Sequence, residues 1–224
     1  ISACLVGSEM CIRDRDRYFA RNVEGYETYR YYDGNAVLRS WICIPLTMGI
    51  YNRAEGTVAA LFSDKLWMEN GLLTQSGTST YWDRSTLYAF RGAYACGARE
   101  IATEYLEKYS ATRLLGDHVP YAVEAWPEGN QRHLSTESAL YCRIMTEGLF
   151  GIRPIALNAF KLTPQLPEGW NTMSLKRICA FGTTFDIEVK RNKGNTLLVL
   201  IKKDDKIIEK YKVGNGKPIE VRIK

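Results

Sequence analysis

The first half of the chain alternates between apolar segments and polar loops. Residues 36–50 are apolar on nearly all sides, which is typical of a buried helix that begins or breaks near Pro45. In the next segment, apolar residues between Ala54 and Phe62 recur at the spacing of one helix face. Together the two segments predict a helical hairpin.

A second hairpin is predicted from residue 84 to residue 109, with a turn at Gly97 between its two helices. The residues expected to face inward are Leu87, Phe90 and Tyr94 in the first helix and Ile101, Tyr105 and Leu106 in the second. Residues 71–81, rich in Gly, Ser and Thr, precede this hairpin and predict a long loop.

A last helix is predicted to begin at Ser135 or Thr136, since either side chain can cap a helix N-terminus. Glu137 would complement the dipole of its first turn. Gly148 is typical of a helix end. A polar loop, residues 119–134, lies before this helix.

The pattern changes after Gly151, where apolar β-forming segments replace helical spacing. The segments are 184–189, 196–201 and 207–213, and a Gly-Asn-Gly-Lys turn at 214–217 follows them. These features predict an α+β fold in which helical hairpins are followed by a C-terminal antiparallel β region. The expected boundary is near residue 155, which gives a helical domain at 16–155 and a β-rich domain at 156–224.

Residues 1–15 fit neither pattern. They read ISACLVGSEMCIRDR, and the string SEMCIRDR resembles a translated sequencing-adapter remnant of the kind seen in environmental reading frames. We expect this segment to be an artefact and the natural protein to be longer, and we leave it out of the fold prediction.

Composition and charge exclude several classes of function. The net charge of +5 comes from the end of the chain, because residues 190–224 hold eleven Lys or Arg against four Asp or Glu. This predicts a solvated β surface and no nucleic-acid partner. The chain has no apolar run long enough to cross a membrane. Its six cysteines lack C-x-x-C spacing and it has only two histidines, so no metal site or cofactor is expected.

Candidate chemistry lies in the two polar loops, which both combine aromatic rings with carboxylates. The first loop leads to Trp82 and Asp83, and the second contains Glu124, Trp126 and Glu128. Glycoside hydrolysis needs a carboxylic acid and a carboxylate, while aromatic faces pack against sugar rings. The residue types therefore favour a carbohydrate substrate.

Two stretches, residues 81–109 and 123–152, resemble the closing helices of six-hairpin glycosidases. The similarity is to the processing α-glucosidase and trehalase-like branch and to the α-L-rhamnosidase branch, and it covers about residues 36–175. It implies that the hairpins belong to an incomplete (α/α)6 toroid of an inverting glycoside hydrolase. It also implies an enzyme acting outside the cytoplasm, in the periplasm or extracellularly, with its general acid upstream of this chain. The chain alone is therefore expected to show little or no hydrolysis of ordinary glycosides, whose leaving group needs that acid.

Carried over by position, the resemblance makes Glu124 the catalytic base, with Glu128 as the competing candidate. Trp82, Asp83 and Trp126 would line the sugar subsites, and His133 would hydrogen-bond the substrate. The same residues also fit ordinary roles, since Asp83 can cap a helix and the tryptophans can anchor hairpins.

Three other interpretations of the sequence stay open. A polysaccharide lyase would centre on Tyr121, Asn130 and His133, and a sugar phosphorylase would need a basic pocket near the base. A non-catalytic module would bind glycans through its tryptophans. The buried arginines are expected to pair with carboxylates inside the hairpins: Arg39, Arg91, Arg113 and Arg132. The sequence does not indicate an oligomeric state.

Overall fold

Helices form where apolar residues recur at helical spacing. A computed structural model describes residues 12–115, 125–126 and 135–223. The α-helices of this part are α1 (Cys43–Thr47), α2 (Ala54–Leu61), α3 (Asp83–Ala95), α4 (Arg99–Arg113) and α5 (Ser135–Arg143). Three further helical turns are of the π or 3-10 type: Arg15–Phe19, Ser40–Ile42 and Ile144–Leu149.

Helix α3 is the centre of the helical part and packs against α1, α4, α5 and the turn Ile144–Leu149. Its Leu87, Phe90 and Tyr94 are all buried, as the spacing predicts. At Gly92 the helix approaches α1 so closely that a Cβ there would lie 2.7 Å from the Cβ of Leu46. A glycine at this position is therefore required by the packing of the two helices.

Short hairpins lie between the helices. Strands β1 (Ala20–Val23) and β2 (Tyr26–Tyr29) pair through a two-residue turn in which both Glu24 and Gly25 have positive φ. Such turns match the twist of a hairpin. β2 lies on α2, where a Cβ at Gly56 would be 2.2 Å from the Glu27 carbonyl oxygen.

Residues 71–81, predicted as a loop, contain strand residues at both ends. β3 (Trp67–Met68) pairs with β4 (Gly71–Leu72), and β5 (Tyr81–Trp82) pairs with β6 (Ala125–Trp126). The loop prediction is thus wrong at its ends, because Gly and Thr in this segment accommodate short strand pairings as well as turns.

The last third of the described chain is antiparallel sheet. A four-stranded sheet has the order β12-β11-β10-β9, and a three-stranded sheet has the order β13-β8-β7. The strands are β7 (Arg153–Ala156), β8 (Ala159–Leu162), β9 (Thr172–Ala180), β10 (Thr183–Arg191), β11 (Thr196–Lys203), β12 (Lys206–Gly214) and β13 (Ile219–Arg222). Alternate residues of β10, namely Phe185, Ile187 and Val189, are buried, which is the pattern of a half-buried strand.

One apolar core connects the helices with the sheets. A single cluster of buried side chains extends from Val23 through Phe90 to Ile223. Between the two parts, the Gln165 amide donates a hydrogen bond to the Leu149 carbonyl. Within the β region, the buried Asn215 side chain accepts a hydrogen bond from the Leu166 amide and donates one to the Leu166 carbonyl. The boundary expected near residue 155 stays a prediction.

The predicted fold class, an α+β chain built on helical hairpins of an incomplete (α/α)6 toroid, is wrong. The described residues are about 34% helical and 33% strand, their helices are short, and their sheets are antiparallel with two to four strands each. Within the described ranges, α3 contacts α1, α4, α5 and short strands, and no ring of paired helices forms. Apolar helical spacing predicts which residues are buried, but it does not predict how helices are arranged around a common axis.

No helix in the described ranges combines the length and the apolar character that crossing a membrane requires.

Candidate functional site

The pairing of β5 with β6 brings the two polar loops of the sequence together. Tyr81 is opposite Trp126, and Trp82 is opposite Ala125. Glu124 is the covalent neighbour of Ala125 in the chain. Glu124, Glu128 and His133 themselves lie outside the described residues. The candidate site is therefore located by the backbone of β5 and β6 and by the side chains around Trp82.

Trp82 belongs to an aromatic cluster that also contains Trp41 and Tyr88. The ring of Trp41 meets that of Trp82 edge-on, with centroids 5.1 Å apart, and lies 6.5 Å from the ring of Tyr88. All three side chains are partly exposed. Among the described residues the buried Trp82 Nε1 has no hydrogen-bond partner. Partly exposed aromatic rings with a polar edge are suited to packing against sugar rings.

Asp83 is the first residue of α3, and its side chain is completely buried. Its Oδ2 lies 2.9 Å from Nη2 of Arg113, at the C-terminal end of α4. Arg113 is also buried, with a relative exposure of 1%. The carboxylate thus ties the start of α3 to the end of α4 through an ion pair between helices.

Tyr109 is packed beside this pair. Burial raises the pKa of Tyr109 well above its ordinary value, and the negative charge of Asp83 raises it further. The hydroxyl therefore stays protonated across the physiological range. Tyr109, Asp83 and Arg113 are all closed off from solvent. They are therefore suited to fixing the position of α3 relative to α4, and not to contacting a ligand.

Glu137 is a second buried carboxylate close to β5. It lies in the first turn of α5, is 0% exposed, and accepts a 2.9 Å hydrogen bond from Nε of Arg84. Sequence reasoning placed Glu137 at a helix N-terminus but did not place it at the candidate site. The signal that could have found it is the position of Arg84, which directly follows Trp82 and Asp83.

Glu147 holds three arginines together at the junction of α3 with the β region. Its Oε2 lies 3.1 Å from Arg91 and 3.1 Å from Arg153, and its Oε1 accepts a 2.5 Å bond from Arg143. Burial raises the pKa of Glu147, but the hydrogen bond from Arg143 and the charges of the three arginines outweigh it, so the pKa is below its usual range.

The predicted pairing of arginines with carboxylates is confirmed for Arg91 and Arg113. The guanidinium of Arg39 instead lies over the rings of Tyr31 and Tyr32, at 5.2 and 5.7 Å from their centroids. Arg132 is outside the described residues. The described part contains no group of three or more potential metal ligands.

A small cavity opens on the other side of Trp41. It measures about 180 Å³ and has aromatic walls formed by Phe19, Tyr29, Tyr31 and Trp41. Sequence reasoning did not find it, because its walls come from four separate elements. Trp41 belongs both to this cavity and to the aromatic cluster.

Comparisons of the chain with family models, with curated proteins and with solved structures find no match.

Proposed function

We propose that the protein binds a carbohydrate at the β5–β6 pairing and contributes the catalytic base of an inverting glycoside hydrolase. The observation that supports this proposal is the pairing of Trp82 with Ala125. It joins two loops whose aromatic and acidic residues are, from their types alone, suited to glycoside hydrolysis. The aromatic cluster of Trp41, Trp82 and Tyr88 lies at the same place.

In the proposed reaction, the Glu124 carboxylate removes a proton from a water molecule that attacks the anomeric carbon. A carboxylic acid elsewhere protonates the leaving oxygen, and the configuration at the anomeric carbon is inverted. The rings of Trp82 and Trp41 would bind the apolar face of the sugar. Glu128 stays the competing candidate for the base.

Asp83 has a positioning role in this proposal and does not contact the substrate. Its carboxylate is enclosed and paired with Arg113, so it fixes the start of α3 and thereby the adjacent Trp82. Glu137 acts in a similar way on Arg84 from α5. Both carboxylates are engaged by arginines, Asp83 by Arg113 and Glu137 by Arg84.

A sharp test uses substrates that do not need a general acid. Dinitrophenyl glycosides release a leaving group that departs without protonation, so a base alone is expected to accelerate their hydrolysis. We expect the chain to hydrolyse at least one member of a panel of such glycosides and the first product to have the inverted configuration by NMR. Glu124→Gln should lower the rate about 100-fold or more.

Glu128→Gln is the matched control, because it removes the same charge from the same loop. If Glu128→Gln abolishes the rate and Glu124→Gln does not, the base is assigned to Glu128. A panel without any hydrolysis above background would refute the catalytic proposal.

A second candidate function is glycan binding without catalysis. The observation that favours it is that Asp83 and Glu137, two described carboxylates close to Trp82 in the fold, both form ion pairs with arginines. A carboxylate in an ion pair is less available to act as a catalytic base. Oligosaccharide binding that is lost in Trp82→Ala, together with no hydrolysis of the activated glycosides, would identify this function.

A further inference from the structure

The cavity beside Trp41 has the shape and lining of a site for one small ring. Its aromatic walls are Phe19, Tyr29, Tyr31 and Trp41, and its volume is about 180 Å³. Ile42 and Pro45 complete the apolar lining. Aromatic walls of this kind favour a ligand with an apolar face.

Tyr29 is the most enclosed of the four aromatic residues, with 5% of its surface exposed. Its hydroxyl is buried and has no hydrogen-bond partner among the described residues, and burial raises its pKa, so the group stays protonated. Because solvent does not reach this hydroxyl, Tyr29 offers a ligand its ring, and the polar contact has to come from Arg30.

The charge of the cavity lining is positive. Arg30 lines it with a side chain that is 13% exposed. Its guanidinium contacts the carbonyl of Tyr18 through Nε and the carboxylate of Asp33, at 2.6 Å, through Nη2. Asp33 is 86% exposed, so this ion pair contributes little and can give way to a ligand.

A guanidinium has five N–H donors, and Arg30 keeps donors for an anion after these two contacts. A planar carboxylate is the group that an arginine binds best, through two parallel hydrogen bonds. Arg15 also lines the cavity, but it belongs to the segment predicted to be adapter-derived. Arg30 is therefore the cation of the lining that we assign to the ligand.

We propose that this cavity binds a uronate residue of the carbohydrate, with the pyranose ring against Trp41 and the carboxylate on Arg30. The inference rests on the proposed function, because it takes the occupant to be a sugar. Trp41 links the cavity to Trp82 through a 5.1 Å edge-on contact, so the uronate would lie next to the sugar bound at β5–β6.

The test compares pairs of methyl glycosides that differ only at C6, as the neutral sugar and as its uronate, in the gluco, galacto and manno series. Binding to the full chain is measured by saturation-transfer NMR and by tryptophan fluorescence. We expect one uronate to bind about tenfold or more tighter than its neutral partner. Arg30→Gln should remove this preference, and Trp41→Phe should weaken the binding of both sugars.

Lys176→Gln is the matched control, since it removes an equal charge from an exposed position of β9 in the C-terminal sheet. Equal binding of neutral sugar and uronate, an Arg30→Gln variant that keeps the preference, or no binding in any series would overturn the inference. The circular dichroism spectrum and Tm of each variant establish that it is folded. Uronate binding without hydrolysis of any activated glycoside would refute the catalytic proposal and leave this inference standing.

Discussion

Replacing Asp83 by Asn tests whether the buried ion pair holds the candidate site together. The change keeps the shape of the side chain and removes its charge. Arg113, whose side chain is 2% exposed, would then retain a positive charge without the carboxylate that lies 2.9 Å away. Removing one partner of a buried pair removes the attraction that offsets the desolvation of the other charge.

The expected cost is about 3–5 kcal/mol of unfolding free energy. For a chain of this length, each kcal/mol corresponds to about 2–4 °C of Tm, so the Tm should fall by about 6–20 °C. Urea unfolding monitored by circular dichroism gives the free energy directly. Trp82 should also lose its fixed position, which tryptophan fluorescence of the folded variant would report.

Two further variants make this measurement specific. Glu104→Gln removes a carboxylate from the exposed pair that Glu104 forms with Lys108 on α4, and it should have little effect on stability. The double variant Asp83→Asn with Arg113→Met removes the buried guanidinium as well and should be more stable than Asp83→Asn alone. A cost for Asp83→Asn as small as that of Glu104→Gln would refute the reasoning.

Three other predictions concern the scaffold. Because the pKa of Glu147 is lowered, its carboxylate stabilises the fold above the ordinary glutamate pKa, and this contribution is lost as the pH falls through the lowered value. The Tm difference between wild type and Glu147→Gln should therefore be clear at about pH 7 and small at about pH 3; a constant difference would contradict it. Gly56→Ala should lower the unfolding free energy by about 1–3 kcal/mol or more, because its Cβ would lie 2.2 Å from a carbonyl oxygen of β2, and an unchanged urea midpoint would contradict this. Burial raises the pKa of Cys43, so iodoacetamide should modify the exposed Cys142 and Cys179 in the native chain and leave Cys43 unmodified by mass spectrometry.

Part of the burial in this chain was predictable, because residues that recur at the period of a helix or strand share one face of it. Leu87, Phe90 and Tyr94 recur at helical spacing and are buried in α3. The three strand segments after residue 183 are likewise present in β10, β11 and β12. In each case, an amphipathic pattern specifies which side of the element faces the core.

The arrangement of helices was not predictable, and the toroid expectation failed for this reason. A hairpin pattern is compatible with many packings, and the choice depends on contacts between distant residues. Gly92 is an example, since it permits α1 to approach α3, yet nothing in its local sequence indicates a partner 46 residues earlier. The cavity beside Trp41 was missed for the same reason.

Around the candidate site, the sequence indicated suitable residue types, but it did not indicate which side chains are buried in ion pairs and which stay exposed. Asp83 and Trp82 are adjacent in sequence and equally suited to a sugar site by composition. The structure separates them, because the carboxylate is enclosed against Arg113 while the indole ring contacts Trp41 and stays partly exposed. A burial difference between consecutive residues at a strand-to-helix junction depends on where each side chain points, and only the packed fold determines that.

The different environments of Asp83 and Trp82 also constrain the proposed chemistry. A base must exchange protons with water, so a carboxylate held by a buried arginine is poorly suited to the task, whereas it is well suited to fixing a neighbouring ring. Asp83 belongs to this second type, and Glu137 is engaged by the partly exposed Arg84. The base is therefore expected in the loop that pairs with β5 through Ala125, and Glu124, next to that pairing, is the residue whose replacement should change turnover more than stability.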